Sequence, residues 1–361
     1  MQQLERYGHG GDLRTATEQY GIPEENWLDF SSNMNPWGPP EVVFKIMRDR
    51  WREIIRYPDP AVRGLRAKLA DKYSIPAESI LVGNGAAELI DLVIRVLNPS
   101  ETILARPSFS EYEEAVEKVG GRIRELPLDA EHGFLLQAAN TAEVSENRYL
   151  FLGHPNNPTG RLIPSETLQS LEDSGAGMIL DEAFMDFVPD EENHSYIRKA
   201  AKSERVIVIR SMTKFYAVPG IRLGFMVAHP RLIERLSAVQ TQWSVNFLAQ
   251  LIGEAALDDN DYAKRTVAWL QKEKLYLIDK LGGLGLSVVP SDVNFLLVSL
   301  PRNIGWDVRR LQRAMAERGI MIRDASLFKG LDQSYFRVAV RLREDNEKLI
   351  AALTSILEST P

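Results

Sequence analysis

Polar side chains follow three short apolar runs of this sequence, where strands of a sheet would end. Asn157 lies in a loop bounded by prolines after the first run, Asp181 follows the second, and Lys214 follows the third. A carboxylate at the end of a buried strand is costly unless it meets a cation, so Asp181 requires a protonated partner. Taken alone, a lysine such as Lys214 at a strand end is more often a surface cation. Because parallel sheets bind ligands at the carboxyl ends of their strands, we expect the three groups to share one site.

A turn of small residues, Gly83–Glu88, follows another apolar run and opens a helical pattern. Backbone N–H groups at such a turn can bind a phosphate with the help of the helix dipole. A plain strand-to-helix turn and a dinucleotide-binding turn are the alternatives. The dinucleotide alternative would make the chain an oxidoreductase, but the third glycine of that motif is missing and Lys214 and Asp181 stay unexplained.

Short β-rich runs alternate with helical patterns over most of the chain, which predicts an α/β core. Buried strands separated by helices indicate a mainly parallel seven-stranded sheet sandwiched by helices. We predict an amino-terminal extended arm over 1–40, a large α/β domain over 41–245 and a small carboxyl-terminal α+β domain over 246–361. The seven predicted strands are Ile80–Val82, Thr102–Ala105, Arg122–Leu126, Tyr149–Leu152, Met178–Leu180, Val206–Ile209 and Gly224–Ala228.

Composition excludes several classes of protein. The 361 residues carry a net charge of −7, so a nucleic-acid partner is not expected. The chain contains no cysteine, which excludes disulfide scaffolds and thiolate metal sites, and its five histidines show no metal-ligand spacing, so we predict no metal. No apolar stretch is long enough to span a membrane and the first residues are unlike a secretory signal, which predicts a cytoplasmic protein.

One ligand satisfies the lysine, the aspartate and the phosphate-type turn together, namely pyridoxal 5′-phosphate, which combines an aldehyde, a ring nitrogen and a phosphate. The motifs around these residues resemble those of the fold-type I pyridoxal-phosphate transferases, and within them the histidinol-phosphate aminotransferase group. The amino-terminal motifs are most similar to those of the L-threonine-O-3-phosphate decarboxylases of cobalamin synthesis. The motifs are Asn156–Gly160, Asp181–Phe184, Ser211–Lys214 with Arg222, His9–Asp12 and Asp29–Pro36.

The resemblance implies a role for each cofactor residue. Lys214 would carry the cofactor and later move protons, Asp181 would pair with the ring nitrogen, and Asn157 would donate to the phenolic oxygen. Phe109 would lie against the ring face, although an ordinary core position is the competing interpretation. Tyr57 would reach the phosphate from a neighbouring subunit, which implies a homodimer with shared active sites. The rest of the phosphate cradle would be Gly85, Ala86, Ala87, Ser211 and Arg222.

The same resemblance places substrate anions at two arginines. Arg337 occupies the position of a family anion site and Arg323 that of a second anion. Each arginine alone is more often a surface charge, but the pair suits a substrate with two acidic groups. His9, Gly10 and Asn33 of the arm, together with Asn157, would add contacts to a small phosphorylated amino acid. The chain departs from the family pattern at Phe184, where a tyrosine is usual.

We therefore expect decarboxylation of L-threonine O-3-phosphate, with histidinol-phosphate transamination as the alternative. Both reactions begin with the same cofactor adduct, and the bond perpendicular to the ring is the one that breaks. Placement of the substrate anions therefore selects the reaction. A non-catalytic binding protein with the same fold is a further alternative, which a colourless purified protein would favour.

Overall fold

The computed structural model describes residues 4, 10–137, 148–302 and 305–359. The thirteen strands within these ranges are β1 (Leu28–Asp29), β2 (Ile80–Gly83), β3 (Glu101–Arg106), β4 (Ile123–Pro127), β5 (Arg148–Gly153), β6 (Gly177–Asp181), β7 (Val206–Ser211), β8 (Gly224–Val227), β9 (Ser287–Val288), β10 (Phe295–Ser299), β11 (Ile320–Met321), β12 (Arg323–Asp324) and β13 (Tyr335–Ala339). The twelve α-helices in the same ranges are α1 (Leu13–Tyr20), α2 (Glu41–Arg50), α3 (Arg63–Tyr73), α4 (Ala86–Leu97), α5 (Ser110–Lys118), α6 (Ser165–Asp173), α7 (Ile197–Ala200), α8 (Pro230–Val239), α9 (Phe247–Ala256), α10 (Asn260–Gly283), α11 (Val308–Ala316) and α12 (Arg343–Glu358). None of these helices combines the length and the apolar character that a bilayer span requires.

The central sheet contains all seven predicted strands, in the order β2–β8–β7–β6–β5–β3–β4. The five adjacent strands β7, β6, β5, β3 and β4 are parallel to one another. Only β8 runs against the strands on either side of it, β2 and β7. The α/β class and the mainly parallel seven-stranded sheet are therefore confirmed.

Helices cover both faces of this sheet because its strands are apolar on both faces. Phe151 of β5 and Ile179 of β6 pack with side chains of α4, α5 and α8. Their neighbours Leu150 and Met178 face the opposite layer, which includes α3, α6, α9 and α10. Successive side chains of a strand point to opposite faces, so a continuous apolar run buries both.

The carboxyl-terminal part of the chain forms an antiparallel sheet in the order β12–β13–β10–β9. Helices α10, α11 and α12 pack with this sheet in the same apolar cluster that underlies one face of the central sheet. The mixture of strands and helices is the predicted α+β arrangement, while the domain boundaries after residues 40 and 245 stay predictions.

The sequence predicted an extended amino-terminal arm. The described residues of this segment include helix α1, so the segment is not wholly extended. The Asp12 carboxylate accepts a hydrogen bond from the Thr15 N–H at 3.0 Å and caps the helix, and Gly21 ends it in the left-handed conformation at φ 71°. Ala16 of α1 is buried with Trp27 and Met321, and β1 pairs in parallel with β11. The segment thus docks on the carboxyl-terminal part of the chain.

Candidate active site

The carboxyl ends of β5, β6 and β7 lie side by side, which brings the predicted polar residues to one edge of the sheet. Gly153 of β5 pairs with Asp181 of β6, and Asp181 pairs with Ile209 of β7. A cavity of about 610 Å³ opens at this edge. Its lining includes twelve of the predicted site residues: Gly10, Asn33, Ala86, Ala87, Phe109, Asn157, Asp181, Ser211, Lys214, Arg222, Arg323 and Arg337.

Lys214 supplies a half-buried amine to this cavity. Its pKa is lowered to about 8, most of all by burial and then by the nearby guanidinium groups of Arg337 and Arg222. Both effects disfavour the ammonium form. The neutral amine, which is the form that attacks an aldehyde, is therefore more populated near neutral pH than in an ordinary lysine.

Asp181 is a buried carboxylate held by two donors. Its Oδ1 accepts a hydrogen bond from the Ala183 N–H at 3.0 Å, and its Oδ2 accepts one from the Tyr112 hydroxyl at 2.7 Å. The pKa of Asp181 is raised to about 6, because the effect of burial outweighs the lowering by the two hydrogen bonds. Such a carboxylate gains from a cationic neighbour such as a protonated ring nitrogen.

The start of α4 forms a cradle with the residues after β7. Gly85 caps the helix at φ 80°, and a Cβ added there would lie only 2.5 Å from Nη2 of Arg222. The hydroxyls of Ser211 and Thr213 lie 2.8 Å apart. Helix N–H groups, two hydroxyls and a guanidinium together suit a phosphate. Gly85 does not line the cavity itself, but it leaves the room that the Arg222 side chain occupies.

Two buried arginines, on the paired strands β12 and β13, also line the cavity. Arg337 donates hydrogen bonds to the amide oxygen of Asn157 and, at 2.7 Å, to the carbonyl oxygen of Ser31. Arg323 packs over the ring of Phe328 at 5.3 Å. Arg337 binds the side-chain oxygen of Asn157, which leaves the NH₂ group of Asn157 to donate to a ligand oxygen.

The amino-terminal segment closes one side of the cavity. Gly11 donates to the Ser31 hydroxyl at 2.8 Å, and a Cβ at Gly10 would lie 2.4 Å from the Ser31 carbonyl oxygen. Asn33 is buried, and its side-chain oxygen accepts no hydrogen bond from the described residues. An unpartnered buried acceptor at a cavity wall is available to a ligand donor. His9, also predicted here, lies outside the described residues.

Tyr57 does not line the cavity of its own chain. Its side chain is 81% exposed and lies 4.9 Å from the ring of Trp243, measured between centroids. The prediction that it completes the site of a neighbouring subunit therefore stays a prediction.

Phe184 occupies the position at which the family pattern has a tyrosine. It lines the cavity and lies edge-on to Phe295, with 4.9 Å between the ring centroids. The Asn157 amide and the Phe184 ring therefore present one polar donor and one apolar surface to a ligand.

Several lining residues were missed by the sequence analysis. Tyr112 follows Phe109 by three residues, and that spacing was the one available signal that both could face the same site. Glu111 also lines the cavity, and burial raises the pKa of its carboxyl. Thr213 and Phe328 are two further examples. Within the described ranges, no three His, Cys, Asp or Glu side chains are grouped as metal ligands would be.

The residues present fit pyridoxal 5′-phosphate. A lysine amine of lowered pKa, a carboxylate that favours a cation and a phosphate-type cradle lie around a single cavity. Lys214, Asp181, Asn157, Arg222 and the amino end of α4 could hold the aldehyde carbon, ring nitrogen, phenolic oxygen and phosphate, and Phe109 could pack on the ring.

Comparison with known proteins places these features in context. The model of the family "aminotransferase class I and II" matches residues 25–353. Threonine-phosphate decarboxylase of Salmonella typhimurium is 39% identical, over 97% of this chain and 96% of that protein. Histidinol-phosphate aminotransferase of Oleidesulfovibrio alaskensis is 33% identical, over 97% and 92%. The crystal structure of L-threonine-O-3-phosphate decarboxylase from Porphyromonas gingivalis superposes with a TM-score of 0.83 at 28% identity, covering 91% of this chain and 98% of that one.

Proposed function

The chain belongs to the aminotransferase class I and II family and depends on pyridoxal 5′-phosphate, and we propose that it decarboxylates L-threonine O-3-phosphate. The products would be CO₂ and (R)-1-amino-2-propanol O-2-phosphate, the linker of the cobalamin nucleotide loop. The observation that carries the proposal is the pair of buried arginines, Arg323 and Arg337, on one wall of the Lys214 cavity. Two guanidinium groups suit the phosphate of such a substrate, because its oxygens can accept hydrogen bonds from both arginines.

When bound, the cofactor supplies a π-system that accepts the electron pair of the broken substrate bond. Lys214 would hold the cofactor aldehyde, and its amine would afterwards return a proton to the substrate Cα. Asp181 would keep the ring nitrogen protonated, and the Asn157 NH₂ group would donate to the phenolic oxygen. Ala86, Ala87, Ser211 and Arg222 would bind the phosphate, Gly85 would leave room for the Arg222 side chain in that cradle, and Phe109 would pack on the ring.

Anion placement would determine which substrate bond is broken. If Arg323, Arg337 and the amino-terminal segment bound the phosphate, the carboxylate would have no arginine partner and would be free to leave as CO₂. Gly10, Asn33 and His9 are the residues of that segment that we assign to these contacts. If Arg337 instead held the carboxylate, the Cα–H bond would break and transamination would follow.

Transamination of histidinol phosphate is the second candidate, favoured by the 33% identical aminotransferase from Oleidesulfovibrio alaskensis. Product identity separates the two. With L-threonine O-3-phosphate alone, the purified protein is expected to release CO₂ and form aminopropanol phosphate without a 2-oxo acid. Turnover that requires both histidinol phosphate and 2-oxoglutarate would contradict decarboxylation. Lys214→Ala serves as the control, because it should abolish either activity.

We also propose a homodimer with shared active sites. Exposed aromatic and aliphatic side chains are concentrated on α2 and the turn after it, among them Phe44, Trp51 and Ile55. An exposed apolar surface of this kind is typical of a protein interface. Tyr57 follows directly and would then reach the partner's cofactor phosphate. Mixing Tyr57→Ala with Lys214→Ala should restore partial activity through hybrid dimers, whereas unchanged inactivity would contradict shared sites. A cytoplasmic location is proposed from the sequence alone.

A further inference from the structure

Helix α5 places the side chain of Tyr112 against the carboxylate of Asp181 at the cavity. Tyr112 is only 1% exposed, and its hydroxyl donates to Oδ2 of Asp181 at 2.7 Å. The Ala183 N–H donates to the other carboxylate oxygen at 3.0 Å. Because the donors engage different oxygens, they oppose rotation of the carboxylate about its Cβ–Cγ bond.

The ring of Tyr112 joins the core of the sheet to the cavity wall. It stacks on Phe151 of β5, with centroids 4.1 Å apart and planes 13° apart. Phe109 contacts its ring edge-on, with 5.7 Å between centroids at 83°. Such aromatic pairs restrict the ring positions beyond simple burial. Tyr112, which is held against β5 by its stacking on Phe151, thus contacts and supports both Asp181 and Phe109.

We propose that Tyr112 is a positioning residue of this site: it keeps Asp181 oriented and ionised for the cofactor ring nitrogen and supports Phe109 against the ring face. The proposal rests on the cofactor roles in the proposed function, but not on the identity of the substrate. A buried tyrosine hydroxyl would be satisfied by any carbonyl oxygen. Donation to an ionised carboxylate is stronger and favours the charged form.

The electrostatics of Asp181 agree with this role. Burial is the largest influence on its pKa and raises it, whereas the Tyr112 hydrogen bond lowers it. Removal of the hydroxyl should therefore let Asp181 take up a proton at higher pH. A neutral acid at this position would lose its ionic attraction for a protonated ring nitrogen.

Tyr112→Phe tests the proposal in the cofactor-loaded protein, because it removes the donor and keeps the stacked ring. We expect the cofactor dissociation constant to rise roughly tenfold or more, as for a lost hydrogen bond to a charged group. The pH below which cofactor affinity falls should also move upward. Tyr196→Phe is the matched control: this tyrosine is also buried, and its hydroxyl accepts from Lys199 at 3.3 Å. It should change neither quantity.

The outcome that would overturn the proposal is a Tyr112→Phe protein with unchanged affinity and an unchanged pH profile, even if its thermal stability falls. A double-mutant cycle separates a general folding defect from positioning. In the Asp181→Asn background, Tyr112→Phe should alter cofactor affinity by less than roughly threefold, whereas a folding defect would act equally in both backgrounds. None of these measurements uses substrate, so a failure of the decarboxylase assignment would leave their result intact.

Discussion

Arg337 and Asn157 lie 180 positions apart in the chain and are joined by a hydrogen bond from the guanidinium to the amide oxygen. Arg337 belongs to β13 of the carboxyl-terminal sheet, and Asn157 to the loop that follows β5 of the central sheet. The same guanidinium donates to the carbonyl of Ser31 in the amino-terminal segment. One side chain therefore joins three parts of the chain around the cavity, so an anion that binds Arg337 can change the orientation of the Asn157 amide.

Arg337→Ala should lower kcat/KM by roughly 10- to 200-fold and raise KM, because charged hydrogen bonds to substrate and to Asn157 are lost together. Steady-state kinetics with L-threonine O-3-phosphate would measure both values. Arg343→Ala is the control, because Arg343 pairs with Glu273 instead and does not line the cavity. An unchanged kcat/KM in Arg337→Ala would remove this residue from the substrate site.

The amine of Lys214 should react with aldehydes at lower pH than an ordinary lysine. Its pKa of about 8 lies below the reference value of 10.5, so the neutral form accumulates as pH rises through about 8. The rate at which cofactor-free protein takes up pyridoxal phosphate should therefore rise with a midpoint near pH 8, as followed by visible absorbance.

Charge removal provides the check on that midpoint. In Arg337→Ala, one cation that disfavours the Lys214 ammonium is lost, so the pKa of Lys214 should rise and the midpoint should move to higher pH. A midpoint that stays in place, or moves downward, would contradict the assigned cause.

Gly85→Ala should weaken cofactor binding by roughly tenfold or more. The added Cβ would lie 2.5 Å from Nη2 of Arg222, and φ is +80°, so the backbone is strained and the guanidinium must move away from the cradle. Equilibrium dialysis of the cofactor would measure the change. Gly282→Ala is a suitable control, because a Cβ there meets no atom within 4 Å. Equal affinities of the two variants would exclude the cradle from phosphate binding.

Phe184→Tyr should restore the hydroxyl that the family pattern places at this position. Phe184 lines the cavity, so the added oxygen has room to donate to an anionic ligand oxygen. Stabilisation of that anion should move the pH-dependent change in the visible spectrum of the bound cofactor to lower pH. Phe328→Tyr controls for the addition of a hydroxyl elsewhere on the cavity wall. A spectrum that titrates as in the parent protein would show that the Phe184 position does not face the phenolic oxygen.

The sequence predicted the elements of this fold better than their arrangement. All seven predicted strands are present, because an apolar run bounded by turns specifies a buried strand locally. The antiparallel insertion of β8 between β2 and β7 was not predicted, since pairing direction depends on connections that no local pattern records. Helix α1 was also missed, although Asp12 and Gly21 are ordinary capping residues, because the glycines before it suggested an extended chain.

For the site, the amino-acid sequence alone determined that Asn157, Asp181 and Lys214 would meet, because each follows a strand and the strand ends share one edge. Only the tertiary structure decided which distant side chains complete that edge. The Tyr112 hydroxyl on Asp181 and the Arg337 guanidinium on Asn157 are contacts over 69 and 180 residues. Such contacts depend on how helices and a second sheet pack against the first, and packing is a property of the folded chain that local residue patterns do not encode.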